Sequence, residues 1–156
     1  MRGSGWGQWF GGPGPDNAEA LHVLLTRICR TETALAFHLA DRARAVRFAP
    51  HRRSLAGLSE REGRNAHALA REIGGRANSA TAAGAERRPG TLTATKLIRD
   101  LDETEDLSTL YRRARWLTSD GLVRGKLEEM AAREGRSSRT IRGILARMDS
   151  YVTDLA

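Results

Sequence analysis

The chain has 156 residues, a formal charge of +7 and 5% aromatic residues; its Ala, Leu and Arg content suits one helical domain and argues against a β-rich fold. Of its 26 basic residues only Lys96 and Lys126 are lysines, and the arginines alternate with Asp and Glu as on solvated helix faces, so a nucleic-acid partner is not expected. Cys29 is the single cysteine, no apolar run reaches membrane-spanning length, and the first 20 residues lack the pattern of a signal peptide. A disulfide framework and membrane insertion are thereby excluded, and the expected location is cytoplasmic.

Residues 1–15 form a Gly- and Pro-rich tail that cannot be helical, yet they carry Trp6, Trp9 and Phe10. Large aromatics on such a strand suit a docking peptide, because each buries much area on a partner protein. The alternative is that the tail folds back on its own domain. Residues 16–156 read as helices. Asp16 is the expected N-cap of a first helix over about 17–48, with the stripe Leu21, Leu25, Ile28, Glu32, Leu35, Leu39, Val46. His22 and His38 fall beside this stripe rather than on it. Pro50 is expected to break the chain in a turn over 50–53, before a second helix from about Ser54 to Ile73. Its stripe is Leu55, Leu58, Glu62, Asn65, Leu69, Ile73.

Residues 74–90 lose every large apolar side chain and suit a long crossover. A third helix is expected over about 91–118, with Leu107, Leu110, Ala114 and Leu117 as its stripe. Four residues before Leu107 this stripe meets Glu103, with Glu105 as a rival. A Ser119-Asp120-Gly121 turn leads into a fourth helix over about 122–154. There the stripe is Val123, Leu127, Met130, Glu134, Ser137, Ile141, Ile144, Met148, Val152, Leu155. Met130 and Met148 are core positions, and Trp116 is expected to pack at a bundle edge.

The second and fourth helices share a phrase, Arg61-Glu62-Gly63-Arg64-Asn65 and Arg133-Glu134-Gly135-Arg136-Ser137. In both, a glutamate interrupts an apolar stripe, which is costly unless the carboxylate is paired or holds a metal. Glu62 and Glu134 are 72 positions apart, and Glu32 and Glu103 are 71 apart. The halves therefore read as a duplicated helical hairpin, and the fold expected is an all-α antiparallel four-helix bundle.

In this pattern the chain resembles the ferritin-like superfamily, most closely its rubrerythrin-type members. That family holds two metal ions with a Glu from each of two helices and a Glu-x-x-His from each of the others. The resemblance implies Glu32, Glu62, Glu103 and Glu134 as metal ligands, with Asn65 and Ser137 in the two histidine places. His67 is five residues from Glu62, on another face. An oxygen-only site departs from the imidazole-tuned centres of redox iron, and it suits harder ions. Three readings of the glutamates stay open: an altered site for two Fe or Mn ions, a relic neutralised by arginines, and mis-phased stripes whose glutamates face water. The functional expectation is a ferritin-like accessory protein with a degraded or altered dimetal site, non-catalytic and docked to a larger assembly through its tail. Oligomers and guests of larger structures are common among similar family members. An iron-binding oxidase or ferroxidase with an all-oxygen site is the alternative. A second alternative is a DNA-binding helix-turn-helix over 127–147, where Ala131, Gly135, Ser137, Thr140 and Ile141 have suitable spacing and Arg136, Arg139 and Arg142 would contact DNA.

Overall fold

The computed structural model of the chain describes residues 15–74 and 92–153. They form four helices: α1 (Pro15–Ala45), α2 (Ala49–Glu72), α3 (Ala94–Trp116) and α4 (Gly121–Thr153), with no strand among the described residues. Trp6, Trp9, Phe10, Leu155 and nearly all of the expected crossover lie outside them.

The helix ends follow from local chemistry. Pro50 does not separate α1 from α2 by a turn over 50–53 as expected; it lies in the first turn of α2, after the N-cap Phe48. The reason is that a first-turn residue has no intrahelical acceptor for its N–H, so proline loses nothing there. α1 begins at Pro15, ahead of Asp16, and ends at Ala45. α2 stops at a backbone conformation open to glycine: Gly74 has φ 61° and donates to the Arg71 carbonyl. Thr93 caps α3 by accepting from the Lys96 N–H at 3.3 Å. Asp120 caps α4, its Oδ1 accepting from the N–H groups of Leu122 and Val123 at 2.8 and 3.0 Å.

α1 packs most closely on α2, and α3 on α4, as two hairpins. The hairpins meet mainly through α1 and α3, which are antiparallel: Arg42 meets Asp100, His38 meets Glu103, and Glu32 meets Tyr111. α2 and α4 approach one another least closely of the four neighbouring pairs. Leu25, Ile28, Leu35 and Leu39 of α1, Leu55 of α2, Leu97 and Leu107 of α3, and Leu127 and Ile141 of α4 are wholly buried. Burying such side chains stabilises by about 1.5–3 kcal/mol each, which holds the bundle together.

The hairpins repeat at one spacing. Leu25 and Leu97, Leu35 and Leu107, Leu55 and Leu127, and Leu69 and Ile141 are each 72 positions apart, and all are buried. Each hairpin also has one serine that clasps its two helices. Ser59 Oγ of α2 donates to the Ala36 carbonyl at 2.8 Å, and Ser108 Oγ of α3 donates to the Ala131 carbonyl at 3.1 Å. Position 108 corresponds to 36, and 131 to 59, so the same pair of positions bonds in both halves with donor and acceptor exchanged.

Three further sequence expectations fail. The α3 stripe is rotated: Leu97, Asp100, Thr104, Leu107, Tyr111 and Ala114 are buried, while Leu110 and Leu117 are only half-buried. Residues 127–147 contain no helix-turn-helix, because α4 runs without a break through Gly135. Gly135 meets nothing that a Cβ would touch, so it neither needs nor makes a turn. Trp116 does not pack at the edge either; it is 71% exposed, with the guanidinium groups of Arg115 and Arg124 at 5.3 and 5.9 Å from its ring.

The α3 register can be checked directly. Leu107→Ala should cost about 2–5 kcal/mol in urea unfolding and Leu110→Ala clearly less. Equal costs would place Leu110 in the core beside Leu107 and refute the register.

Candidate metal centre

Three glutamates from three helices converge at the middle of the bundle. Glu32 of α1, Glu62 of α2 and Glu134 of α4 each have no exposed surface. One carboxylate oxygen from each lies within 4.8 Å of the others. Each sits on its helix where the apolar stripe passes through the core, so folding carries all three inward together. Asn65, one turn after Glu62, and Ser137, one turn after Glu134, are buried beside them.

Few donors serve these carboxylates. Tyr111 Oη donates to Glu32 Oε1. Ser137 Oγ donates to Glu62 Oε1 at 3.3 Å, and Arg61 Nη2 reaches the same oxygen at 3.5 Å as well as Ser137 Oγ. Glu32 Oε2, Glu62 Oε2 and both oxygens of Glu134 receive no bond from any described donor. Asn65 lies alongside Glu32 and helps to pull its pKa down, yet its Nδ2 makes no bond of good geometry.

Without a cation, burial dominates the electrostatics. It pushes the Glu32 carboxyl up to about 9, against the Tyr111 hydrogen bond and with the help of Glu62. Glu134 is also raised to about 9, first by burial and then by the charges of Glu62 and Glu32. Glu62 is raised by burial, with Arg61 pulling in the other direction. Two carboxylates offer no donor, so without a cation Glu62 and Glu134, both raised by burial, can bond to one another only as a pair that shares a proton. Tyr111 is held in its neutral form by burial and by Glu32.

Glu103 does not join this cluster, and neither does Glu105. The rotated α3 stripe puts Thr104 in the core, 72 positions after Glu32, and its hydroxyl donates to the Asp100 carbonyl at 2.7 Å. Glu103 instead pairs with His38 Nδ1 at 3.3 Å and Arg99 Nε at 3.1 Å. Glu105 bonds Arg142 on the surface. Glu103, His38 and the wholly buried Asp100 make a second group with metal-ligating atoms close together. Burial raises the Asp100 carboxyl, but Arg42 Nε bonds it at 3.1 Å, so arginines already balance the charge of that group. The water-facing reading of the stripes therefore holds for none of Glu32, Glu62 and Glu134. Tyr111 and Arg61 are site neighbours that the stripes did not reveal. Applying the 72-residue spacing of Glu62 and Glu134 to Leu39 leads to Tyr111 and would have found it.

Comparison with protein-family models, curated proteins and solved structures finds no match for this chain.

The raised carboxyls set a pH dependence. In chelator-treated protein the fold keeps protons that the unfolded chain releases above its ordinary value of 4.5. The folded state then binds more protons than the unfolded one, so stability falls as pH rises from 4.5 through about 9. Glu134→Gln, which can still donate to Glu62, should flatten that slope in denaturation curves measured across the range. An unchanged slope would show that the Glu62–Glu134 pair does not hold the proton.

Proposed function

We propose that the chain is a ferritin-like accessory bundle that binds one divalent cation, manganese(II) ahead of the softer ferrous ion, through Glu32, Glu62 and Glu134. The observation that carries this reading is the set of four buried carboxylate oxygens without a donor. An orphaned buried acceptor costs about 1–3 kcal/mol, and more when charged. A cation ends that cost for all four together.

The donor set fits one ion better than the two that the resemblance implies. Three ionised glutamates and Arg61 leave a net charge of −2, which one divalent ion cancels. A second ion would leave a buried excess of +2, which an apolar core does not tolerate. The place of a fourth carboxylate is held by Thr104, and Asn65 and Ser137 stand where imidazoles would be. Carboxylate oxygens with an amide oxygen from a rotated Asn65 select a hard ion. Magnesium retains several waters, and calcium demands six to eight oxygens. Tyr111 and Arg61 already engage two of the six carboxylate oxygens, so the remainder falls short for calcium, and manganese(II), which carboxylates suit, fits them better. When bound, the ion supplies positive charge that ties three helices to one point.

This role needs no catalysis and agrees with an accessory protein that docks elsewhere. The aromatic segment Trp6, Trp9 and Phe10 supports docking to a larger assembly, by its composition alone. No described helix is long and apolar enough to cross a membrane. One observation favours the oxidase alternative, the Tyr111 hydroxyl on Glu32, because a tyrosine beside a metal ligand can act as an electron donor. Under the accessory reading, ferrous iron added in air is oxidised no faster with the protein than without it, as followed by ferric absorbance. A rate that rises with protein and falls in Tyr111→Phe would favour the oxidase.

Manganese(II) titration followed by electron paramagnetic resonance tests the binding itself. One ion per chain is expected, with none in Glu62→Gln/Glu134→Gln. At about 100 times Kd the ion should add about 2.7 kcal/mol of stability to the unaltered protein alone. Absence of binding, with the double variant at least as stable, would identify the glutamates as relics.

A further inference from the structure

The centre is enclosed, so an ion must pass a helix seam to reach it, and one seam is built differently from the rest. α2 and α4 are the least closely packed neighbours. A groove of about 230 Å³ runs between them, with buried Asn65 and Leu69 at its floor and exposed Lys126 and Glu129 on its rim. A larger groove of about 340 Å³ lies between α1 and α2, at Ala40, Ala43 and Ser59, and no residue of the three-glutamate centre lines it.

Asn65 belongs to both the α2–α4 groove and the centre. It is 5% exposed, lines the groove, lies alongside Glu32, and has an amide nitrogen with no partner. Because the Asn65 Nδ2 holds no bond of good geometry, little opposes a rotation that turns the side-chain carbonyl oxygen, the atom able to meet a cation, toward the groove. Farther along the same seam the guanidinium of Arg61 sets a positive charge directly on Glu62 and Ser137, whereas in the groove Arg133 is paired with Glu129 and Glu72 lines the same walls as Lys126. Elsewhere α1 and α3 close the bundle with Leu35, Leu39 and Leu107, where a partly hydrated ion would lose its water without replacement.

We propose that the groove between α2 and α4 is the route by which a hydrated divalent cation reaches the three glutamates, with Asn65 as the residue that hands it inward. This rests on the metal binding proposed above. By rotating, the Asn65 side chain presents its carbonyl oxygen outward in exchange for a water, before the carboxylates take the ion. Asn65 is thus a positioning residue on the path, and its reach from groove to centre explains why an amide occupies this stripe position.

The test is the rate of manganese(II) loading, read by mixing, chasing with excess chelator and counting retained metal. Ala68 lines the groove and is exposed, so Ala68→Trp plugs it without disturbing the core. Ala40→Trp plugs the other groove as the control. Ala68→Trp should slow loading by about tenfold or more, with one ion still bound at equilibrium, while Ala40→Trp loads at the unaltered rate. Equal rates in both variants, each with one ion bound, overturn the route and leave the binding reading intact. A loss of equilibrium binding in Ala68→Trp also overturns the route, since the groove would then be part of the centre. Absence of metal in the unaltered protein overturns both.

Discussion

Three carboxyl groups share the centre of a core whose largest part is leucine and isoleucine, and the bundle has to accommodate them. Burial opposes their ionisation, proximity opposes it further, and only Tyr111, Ser137 and Arg61 bring donors. Helix packing fixes their positions, because each glutamate lies on the stripe that holds its own helix to its neighbours. The charge can therefore be relieved by a proton or by a cation, but not by moving away. Most other features of the centre follow from this constraint. Tyr111 stays neutral, Glu62 and Glu134 are both held toward their protonated forms, and four carboxylate oxygens are reached by no hydroxyl or guanidinium group.

The duplication explains why the centre has this form, and its breaks explain why it is lopsided. A spacing of 72 residues superposes leucine on leucine through both hairpins and preserves even the serine clasp, with its donor and acceptor exchanged. The two halves then diverge at the positions that face the centre. Glu32 corresponds to Thr104, which turns its hydroxyl to its own helix backbone. Arg61 reaches inward to Glu62 and Ser137, whereas Arg133 pairs with Glu129 along α4. The first half thus supplies two carboxylates and an inward arginine, and the second supplies Glu134 alone. Such asymmetry suits a single ion beside one fixed positive charge, rather than a symmetric pair of ions.

The second cluster shows the opposite solution to the same problem. Asp100 is as buried as Glu32, but Arg42 reaches it with two nitrogens and His38 lies 3.8 Å away. Here long basic side chains enter from the solvent side of α1, their stems covering apolar surface while their heads pair with the carboxylates. A buried carboxylate near the bundle surface can thus be balanced by protein alone. At the bundle centre only Arg61 reaches the carboxylates, which is why the three glutamates, rather than Asp100, remain short of positive charge.

By itself the sequence determined four helices and their hairpin pairing, and it put Glu32, Glu62 and Glu134 on the apolar stripes, because periodic spacing narrows the choice of face. That all three are buried was decided by the packed bundle. It also identified the repeated phrase that places Asn65 and Ser137 beside the two glutamates. Only the tertiary structure decided the rotation of α3. Leu107 and Ala114 are core residues in both registers, and Leu110 and Tyr111 differ by a single step of about 100° that helical spacing resolves poorly. That rotation exchanges Glu103 for Thr104 and brings Tyr111 to Glu32. The direction in which Arg61 turns was likewise beyond the sequence, since Arg61 and Arg133 occupy identical places in the repeated phrase. A long side chain at a helix boundary chooses its partner from the neighbouring helix, and that choice exists only once the helices are packed.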